Sequence, residues 1–167
     1  MSSSSWTVRD AVDADLPAVK AIYDEQVVHG IATFDTVAPP LSVWRERLGS
    51  PHHLLVAVDA DDEVVGYASS SAYRPRPAYD ATREVSVYRD PRARGRGVGR
   101  ALYDVLLPRL DDEGVHTLLA VIAMPNEASE ALHRACGFTP VGLLPEVGFK
   151  HGRWIDTAFW ARVRTAT

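Results

Sequence analysis

Residues 85–110, VSVYRDPRARGRGVGRALYDVLLPRL, constrain this chain more than any other stretch. A strand rich in β-branched residues runs into a basic glycine loop, and the loop opens a long amphipathic helix. That succession has the architecture of a phosphate clamp. Gly95, Gly97 and Gly99 remove the side chains that would keep backbone N–H groups from an anion. The first helical turn adds its unpaired donors and positive dipole end. Arg92, Arg94, Arg96 and Arg100 place charge around the same point. Two common glycine motifs fail on spacing. A dinucleotide fingerprint counted from Gly95 needs glycine where Arg100 stands, and a Walker loop needs a Gly-Lys-Ser/Thr ending that is absent. A glycine-rich turn with a solvated basic face is the plainer alternative, and the position before a long amphipathic helix argues against it.

At 167 residues the chain is read as a single domain, 1–167, large enough to bury about two thirds of the surface exposed when unfolded. Hydrophobic residues at 46% and charged residues at 24% are ordinary globular values, so neither a disordered nor a fibrous chain is indicated. A formal net charge of −4 argues against a nucleic-acid binder and makes the arginine cluster a local feature. MSSSSW lacks the basic and apolar regions of a signal peptide, and no apolar run approaches the ~20 residues that span a bilayer. A cytoplasmic protein with no membrane partner is expected. The one cysteine, Cys136, cannot form an intramolecular disulfide and fits a reducing compartment. Before Gly137 at a helix end it reads as a packing residue rather than a nucleophile.

The remaining pattern supplies the other elements. A strand is expected at residues 6–9, then a helix at residues 13–29 with Asp13 as its cap and Leu16, Val19, Ile22, Tyr23 and Val27 at helical spacing. Residues 41–48 form a second helix between Pro39-Pro40 and Gly49. Residues 54–58 and 64–72 read as an antiparallel hairpin across an acidic turn that lacks calcium-ligand spacing. Residues 83–88 feed the glycine loop, and residues 98–112 form the helix after it, with Pro108 as a kink or early end. A wholly apolar strand at residues 117–122, a helix at 126–136 stopped by Gly137, and strands at 139–144 and 153–162 complete a mixed α/β layered domain.

RxxGxG, formed by Arg94, Gly97 and Gly99, resembles the pyrophosphate loop of the GNAT acetyltransferase superfamily, which binds acetyl-CoA. Three further stretches resemble the phosphinothricin N-acetyltransferase family, which includes acetyltransferases of methionine sulfone and methionine sulfoximine. They are PRPAYDATREVSVY, VIAMPNEASEALHRACGF and GFKHGRWIDTAFW. The resemblance runs from TVRDAVDADLPAV over nearly the whole chain and implies the GNAT fold, a mixed central β-sheet flanked by helices. It also implies acetyl transfer from acetyl-CoA to a small-molecule amine by direct attack, which needs a base for the ammonium and donors for the developing oxyanion.

Within that resemblance Glu84 corresponds to the base; otherwise it is a surface strand residue paired with Arg83 or another cation. His133 stands where many relatives carry tyrosine; by resemblance it orients or protonates, and on chemistry alone a lone helical histidine is as readily structural. Asn126 caps its helix on chemistry alone and by resemblance contacts the pantetheine arm. Main-chain groups of Val87, Tyr88 and Arg89 are expected to pair with the pantetheine amides like an added strand. Arg94, Gly95, Arg96, Gly97, Val98, Gly99 and Arg100 would hold the pyrophosphate. Arg74, Arg76 and Tyr79, in YRPRPAY, match basic and aromatic substrate contacts, two guanidiniums answering two anionic groups. At the first of these positions better-known members carry lysine, so Arg74 is a departure. Phe34 and Tyr88 are either pocket walls or core.

His52, His53, His116 and His151 make no metal-ligand spacing, so no metal is expected. Trp44, Trp154 and Trp160 read as core or interface. Family resemblance implies a homodimer with GFKHGRWIDTAFW near the shared pocket. Acetylation of a peptide N-terminus or another amine, and a non-catalytic acetyl-CoA sensor, are the competing functions. Arg74 and Arg76 disfavour cationic polyamines, and the presence of both Glu84 and His133 disfavours a sensor.

Overall fold

The chain folds as β1 (Thr7–Asp10), α1 (Leu16–Val28), α2 (Leu41–Leu48), β2 (Leu54–Val58), β3 (Val64–Ala72), β4 (Thr82–Arg89), α3 (Val98–Asp112), β5 (Thr117–Ala123), α4 (Glu127–Ala135), β6 (Thr139–Lys150) and β7 (Arg153–Val163). These elements come from a computed structural model that describes residues 6–165. The signal-peptide reading rests mostly on residues 1–5, which lie outside the described residues. The strands form one sheet in the order β1-β2-β3-β4-β5-β7-β6. Every neighbouring pair is antiparallel except β4 and β5.

Helices cover both faces, and the strand period sorts side chains between them. On one face α3 presents Val98, Leu102, Leu106 and Leu110 to Leu55, Ala57, Val85 and Trp160. On the other, α1 presents Val19, Ile22 and Tyr23, with Trp44 of α2, to Leu54, Val56 and Tyr67. β2 is buried along its whole length because both of its faces are covered. On β4, Val85 and Val87 belong to the α3 side and Tyr88 to the α1 side. The same two-residue period places Glu84 and Ser86 on the α1 side.

Three local expectations are corrected. Asp13 does not cap a helix, because the chain first makes a 3-10 turn over Asp13–Asp15. Its carboxylate takes Arg45 Nε at 3.0 Å, while Asp15 accepts the Val12 N–H at 2.8 Å. Pro108 neither ends α3 nor blocks its last turn. It lies on the exposed side, where the carbonyl left without a donor faces water. β6 continues past residue 144 to Lys150, because an irregularity between Leu144 and Gly148 absorbs Pro145 and Glu146 without ending the pairing with β7.

Gly66 on β3 is where α3 sits closest to the sheet. A Cβ there would lie 2.6 Å from Val98 Cγ1 and 3.0 Å from Tyr88 O. Gly66→Ala is expected to lower the unfolding free energy by about 1–3 kcal/mol, the usual cost of overpacking. Urea titration checks it, and an unchanged midpoint would show that α3 does not press on this strand.

Candidate active site

β4 and β5 pair only through Thr82↔Thr117, Arg83↔Leu118 and Glu84↔Leu119. Beyond Glu84 the strands part, although β4 continues to Arg89 and β5 to Ala123. Main-chain groups of residues 85–89 that face β5 therefore have no strand partner. The opening is a cleft of about 560 Å³, with Val87, Tyr88 and Arg89 along one wall and Val121, Ile122 and Asn126 along the other. That volume is typical of a small-molecule site.

The glycine loop closes one end. Gly95 and Gly97 have φ of +72° and +80°, the left-handed region that side chains rarely adopt, and both line the cleft. Arg94 N–H is taken by Pro91 O and Arg96 N–H by Ala93 O. Among the described residues the N–H groups of Gly95, Gly97, Val98, Gly99 and Arg100 have no acceptor, the last three because they begin a helix. All five of these residues line the cleft. Five donors at the positive end of a 15-residue helix make an anion cradle that a diphosphate fits.

The arginines contribute less than their number suggests. Arg92 is tied to Asp90 at 2.7 Å and Arg100 to Asp104 at 2.7 Å. Arg96 does not line the cleft, because its guanidinium lies 4.8 Å from the Trp6 ring centre while Trp6 Nε1 donates to Arg96 O at 3.0 Å. Only Arg94, of these four, lines the cleft without a side-chain hydrogen bond or ion pair among the described residues. Trp6 was not anticipated as a support of this loop, since nothing in sequence spacing connects residues 90 positions apart.

Glu84 sits at the point where the strands part, half-buried between Ser71 and Leu119. It makes no pair with Arg83, whose guanidinium bonds instead to the carbonyls of Asp80 and Thr82. Burial raises the affinity of Glu84 for a proton above the usual carboxylate range. Glu84 adjoins the mouth of the cleft in sequence without lining it, and among the described residues its carboxylate has no hydrogen-bond or ion-pair partner; a raised proton affinity there suits a base.

His133 lines the cleft and is almost fully buried. Its Nδ1 lies 2.7 Å from Ser129 O, a pure acceptor, so Nδ1 carries the proton and donates. Nε2 is then an acceptor and takes the Tyr103 hydroxyl at 3.0 Å. Burial depresses the pKa of His133 and raises that of Tyr103, so both are neutral. Tyr103 also lines the cleft and was missed because a core tyrosine on an amphipathic helix carries no sequence signal. Asn126 lines the cleft and caps α4, its Oδ1 accepting Ser129 N–H at 3.1 Å.

The expected substrate contacts gather less tightly. Tyr88 lines the cleft, stacks on Tyr67 and donates to Ala32 O at 3.1 Å, so it is wall and core at once. Arg74, Arg76 and Tyr79 lie outside the cleft lining, exposed on the loop between β3 and β4. That loop starts just beyond Ser71, the residue opposite Glu84. Arg74 lies over the Tyr73 ring, and Tyr73 meets Tyr79 edge-on at 5.2 Å. Neither guanidinium has a carboxylate partner among the described residues. Phe34 is 40% exposed and lies against Gly148, on the loop that follows α1, rather than in the cleft.

The acetyltransferase (GNAT) family profile matches residues 18–138. A phosphinothricin N-acetyltransferase of Alcaligenes faecalis is 45% identical over 97% of this chain and 84% of its own. An L-methionine sulfoximine/L-methionine sulfone acetyltransferase of Pseudomonas aeruginosa is 41% identical over 93% of this chain and 92% of its own. The crystal structure of a phosphinothricin acetyltransferase from Sinorhizobium meliloti in complex with acetyl-CoA superposes with a TM-score of 0.90. It is 42% identical, over 95% of this chain and 88% of that one. The chain belongs to the GNAT acetyltransferase family. Among the described residues of this GNAT domain, no helix is long and apolar enough to cross a membrane, and no group of three or more His, Cys, Asp or Glu could hold a metal ion.

The depressed pKa of His133 has a consequence for stability. The unfolded chain takes up a proton at histidine below about pH 6.5 and the folded site resists it, so this contribution is complete above pH 6.5 and declines as pH falls. The unfolding free energy is expected to drop between about pH 7 and pH 5 and to drop less in His133→Gln, which has nothing to protonate. Denaturant titrations at the two pH values compare the slopes. An equal or steeper decline in the variant would contradict the neutral, buried assignment.

Proposed function

We propose that this enzyme transfers the acetyl group of acetyl-CoA to the α-amine of a small amino-acid-like substrate, of the phosphinothricin, methionine sulfone or methionine sulfoximine type. The observation that carries the reading is a cleft with five unaccepted N–H donors at one end that opens where the β4–β5 ladder stops, at Glu84. The named activities of the 45% and 41% identical relatives supply the substrate class.

In this account the loop from Gly95 to Arg100 grips the diphosphate, with Arg94 beside it, while residues 87–89 offer main-chain partners to the pantetheine amides. Bound acetyl-CoA supplies an activated thioester. Glu84, directly or through water, takes the proton that frees the substrate amine; the amine nitrogen then bonds to the acetyl carbon as the carbon–sulfur bond breaks, and coenzyme A leaves as the thiolate, which takes up the second proton given off by the acylated nitrogen, directly or through water. The neutral His133, spent on Ser129 O and Tyr103, favours an orienting part over proton donation: it fixes the Tyr103 hydroxyl on the cleft wall. Asn126 holds the opening of α4 at the same wall.

Arg74 and Arg76 would answer the carboxylate and the second polar group of such a substrate, since both guanidiniums lack an internal anion and stand on the loop nearest Glu84. Tyr79 would complete that side as an aromatic wall, and Phe34, which lies against Gly148, would face the substrate from the loop that follows α1. A homodimer is supported by β6, the sheet edge opposite β1. Its exposed Val141, Leu143, Val147 and Phe149 suit a second copy of the same edge.

Two substitutions test the assignment. Glu84→Gln is expected to lower kcat by about a hundredfold or more while acetyl-CoA binding is retained, as loss of a general base requires. Thiol release measured with methionine sulfone reads this, and normal turnover would remove Glu84 from the mechanism. Arg76→Ala is expected to raise the KM for methionine sulfone at least about tenfold, the loss of one charge-assisted bond, with little change in the KM for acetyl-CoA. Equal effects on both constants would reject the anion contact. Acetylation of peptides or spermidine in preference to methionine sulfone would replace the proposed substrate class.

A further inference from the structure

The segment between α1 and α2 contains no regular element, so its carbonyls need partners from elsewhere. Three of them find partners outside their own segment. Gly30 O meets His151 Nε2 at 3.0 Å, Ala32 O accepts from Tyr88 Oη at 3.1 Å, and Thr33 O accepts from Lys150 Nζ at 2.8 Å. The same ammonium donates to Gln26 O at 2.8 Å, at the negative end of α1. Lys150 is 4% exposed, carries no ion pair among the described residues, and burial lowers its pKa. A buried ammonium hydrogen-bonded only to neutral carbonyls, with the Asp35 carboxylate near enough to favour its charge but not paired to it, is an expensive way to fill space, and an apolar side chain of that length would do so more cheaply. Its geometry answers a different need, the fastening of two carbonyls 124 and 117 positions away.

Gly148, two residues earlier on β6, meets the same segment. A Cβ at this position would overlap the Phe34 ring, so the ring lies directly on bare backbone. From the other side, the Tyr23 hydroxyl of α1 reaches both Thr33 Oγ1 and Asp35 Oδ2 at 2.6 Å. The segment so held carries Ala32, which lines the cleft beside Tyr88 and Gln26.

We infer that Lys150, with Gly148 and His151, is a positioning latch by which the β6–β7 hairpin holds the α1–α2 segment in the shape that receives the amino-acid substrate. The inference rests on the substrate reading above. The latch acts through Thr33, Ala32 and Phe34 and touches neither the glycine loop nor Glu84, so it governs affinity for the amine substrate far more than the grip of the loop on the coenzyme diphosphate.

Lys150→Met keeps length and removes the ammonium. It is expected to raise the KM for methionine sulfone about tenfold, the loss of a hydrogen-bonded charged donor, while the KM for acetyl-CoA and kcat stay within about twofold. Amide exchange of residues 30–35 is expected to accelerate by about the same factor while α3 keeps its protection. Gly148→Ala, which displaces Phe34 by a separate route, is expected to give the same split of the two KM values. It carries the test if Lys150→Met fails to fold. An unchanged methionine sulfone KM, a parallel rise in both KM values, or wild-type exchange in residues 30–35 would overturn the latch. If the wild-type enzyme acetylates no amino acid, the substrate reading fails, and the exchange comparison still decides whether Lys150 holds the segment.

Discussion

Three residue pairs hold β4 to β5, and the rest of the site depends on their being only three. A full parallel ladder would spend the main-chain groups of residues 85–89 inside the sheet and leave no cleft. Because the ladder stops at Glu84, β4 stays paired with β3 but presents an edge without a partner on its β5 side, from Glu84 at the closed end to helix α3 at the open one. Both faces of the sheet are packed by helices, so the parted strands remain rigid while open. Binding therefore meets a pre-formed surface, which limits the ordering cost that a ligand must offset.

The site works through main-chain geometry more than through side-chain charge. Four arginines surround the glycine loop, yet two are neutralised by neighbouring aspartates and one lies against Trp6. What remains is a row of amide donors, fixed by two glycines at positive φ and by the start of α3. Such donors need no reorganisation when an anion arrives, and the helix dipole adds to them. Among the described residues, guanidiniums without a carboxylate partner stand instead at Arg74 and Arg76, on the loop that begins just beyond Ser71, the residue opposite Glu84.

Much of this was legible in the chain itself, for identifiable reasons. The strand, glycine loop and helix of residues 85–110 are local, and their spacing survives folding unchanged. The element order followed from apolar periodicity and the mixed sheet from the family resemblance, and both are observed. The failures are equally physical. Asp13 went to Arg45 on a neighbouring helix, and Pro108 was tolerated because its missing bond faces water. Trp6, Tyr103 and Lys150 act on segments far away in sequence, through contacts that only the tertiary fold creates. Arg96 turns toward the Trp6 ring, which the sequence did not indicate, since charge in a loop says nothing about which way the side chain turns.

The most direct measurement is a crystal structure with acetyl-CoA bound. The account predicts the diphosphate within hydrogen-bond distance of the N–H groups of Gly95, Gly97, Val98, Gly99 and Arg100, the pantetheine alongside residues 87–89, and the thioester directed toward Glu84. A coenzyme lodged outside this cleft, or a thioester remote from the Glu84 carboxylate, would contradict it.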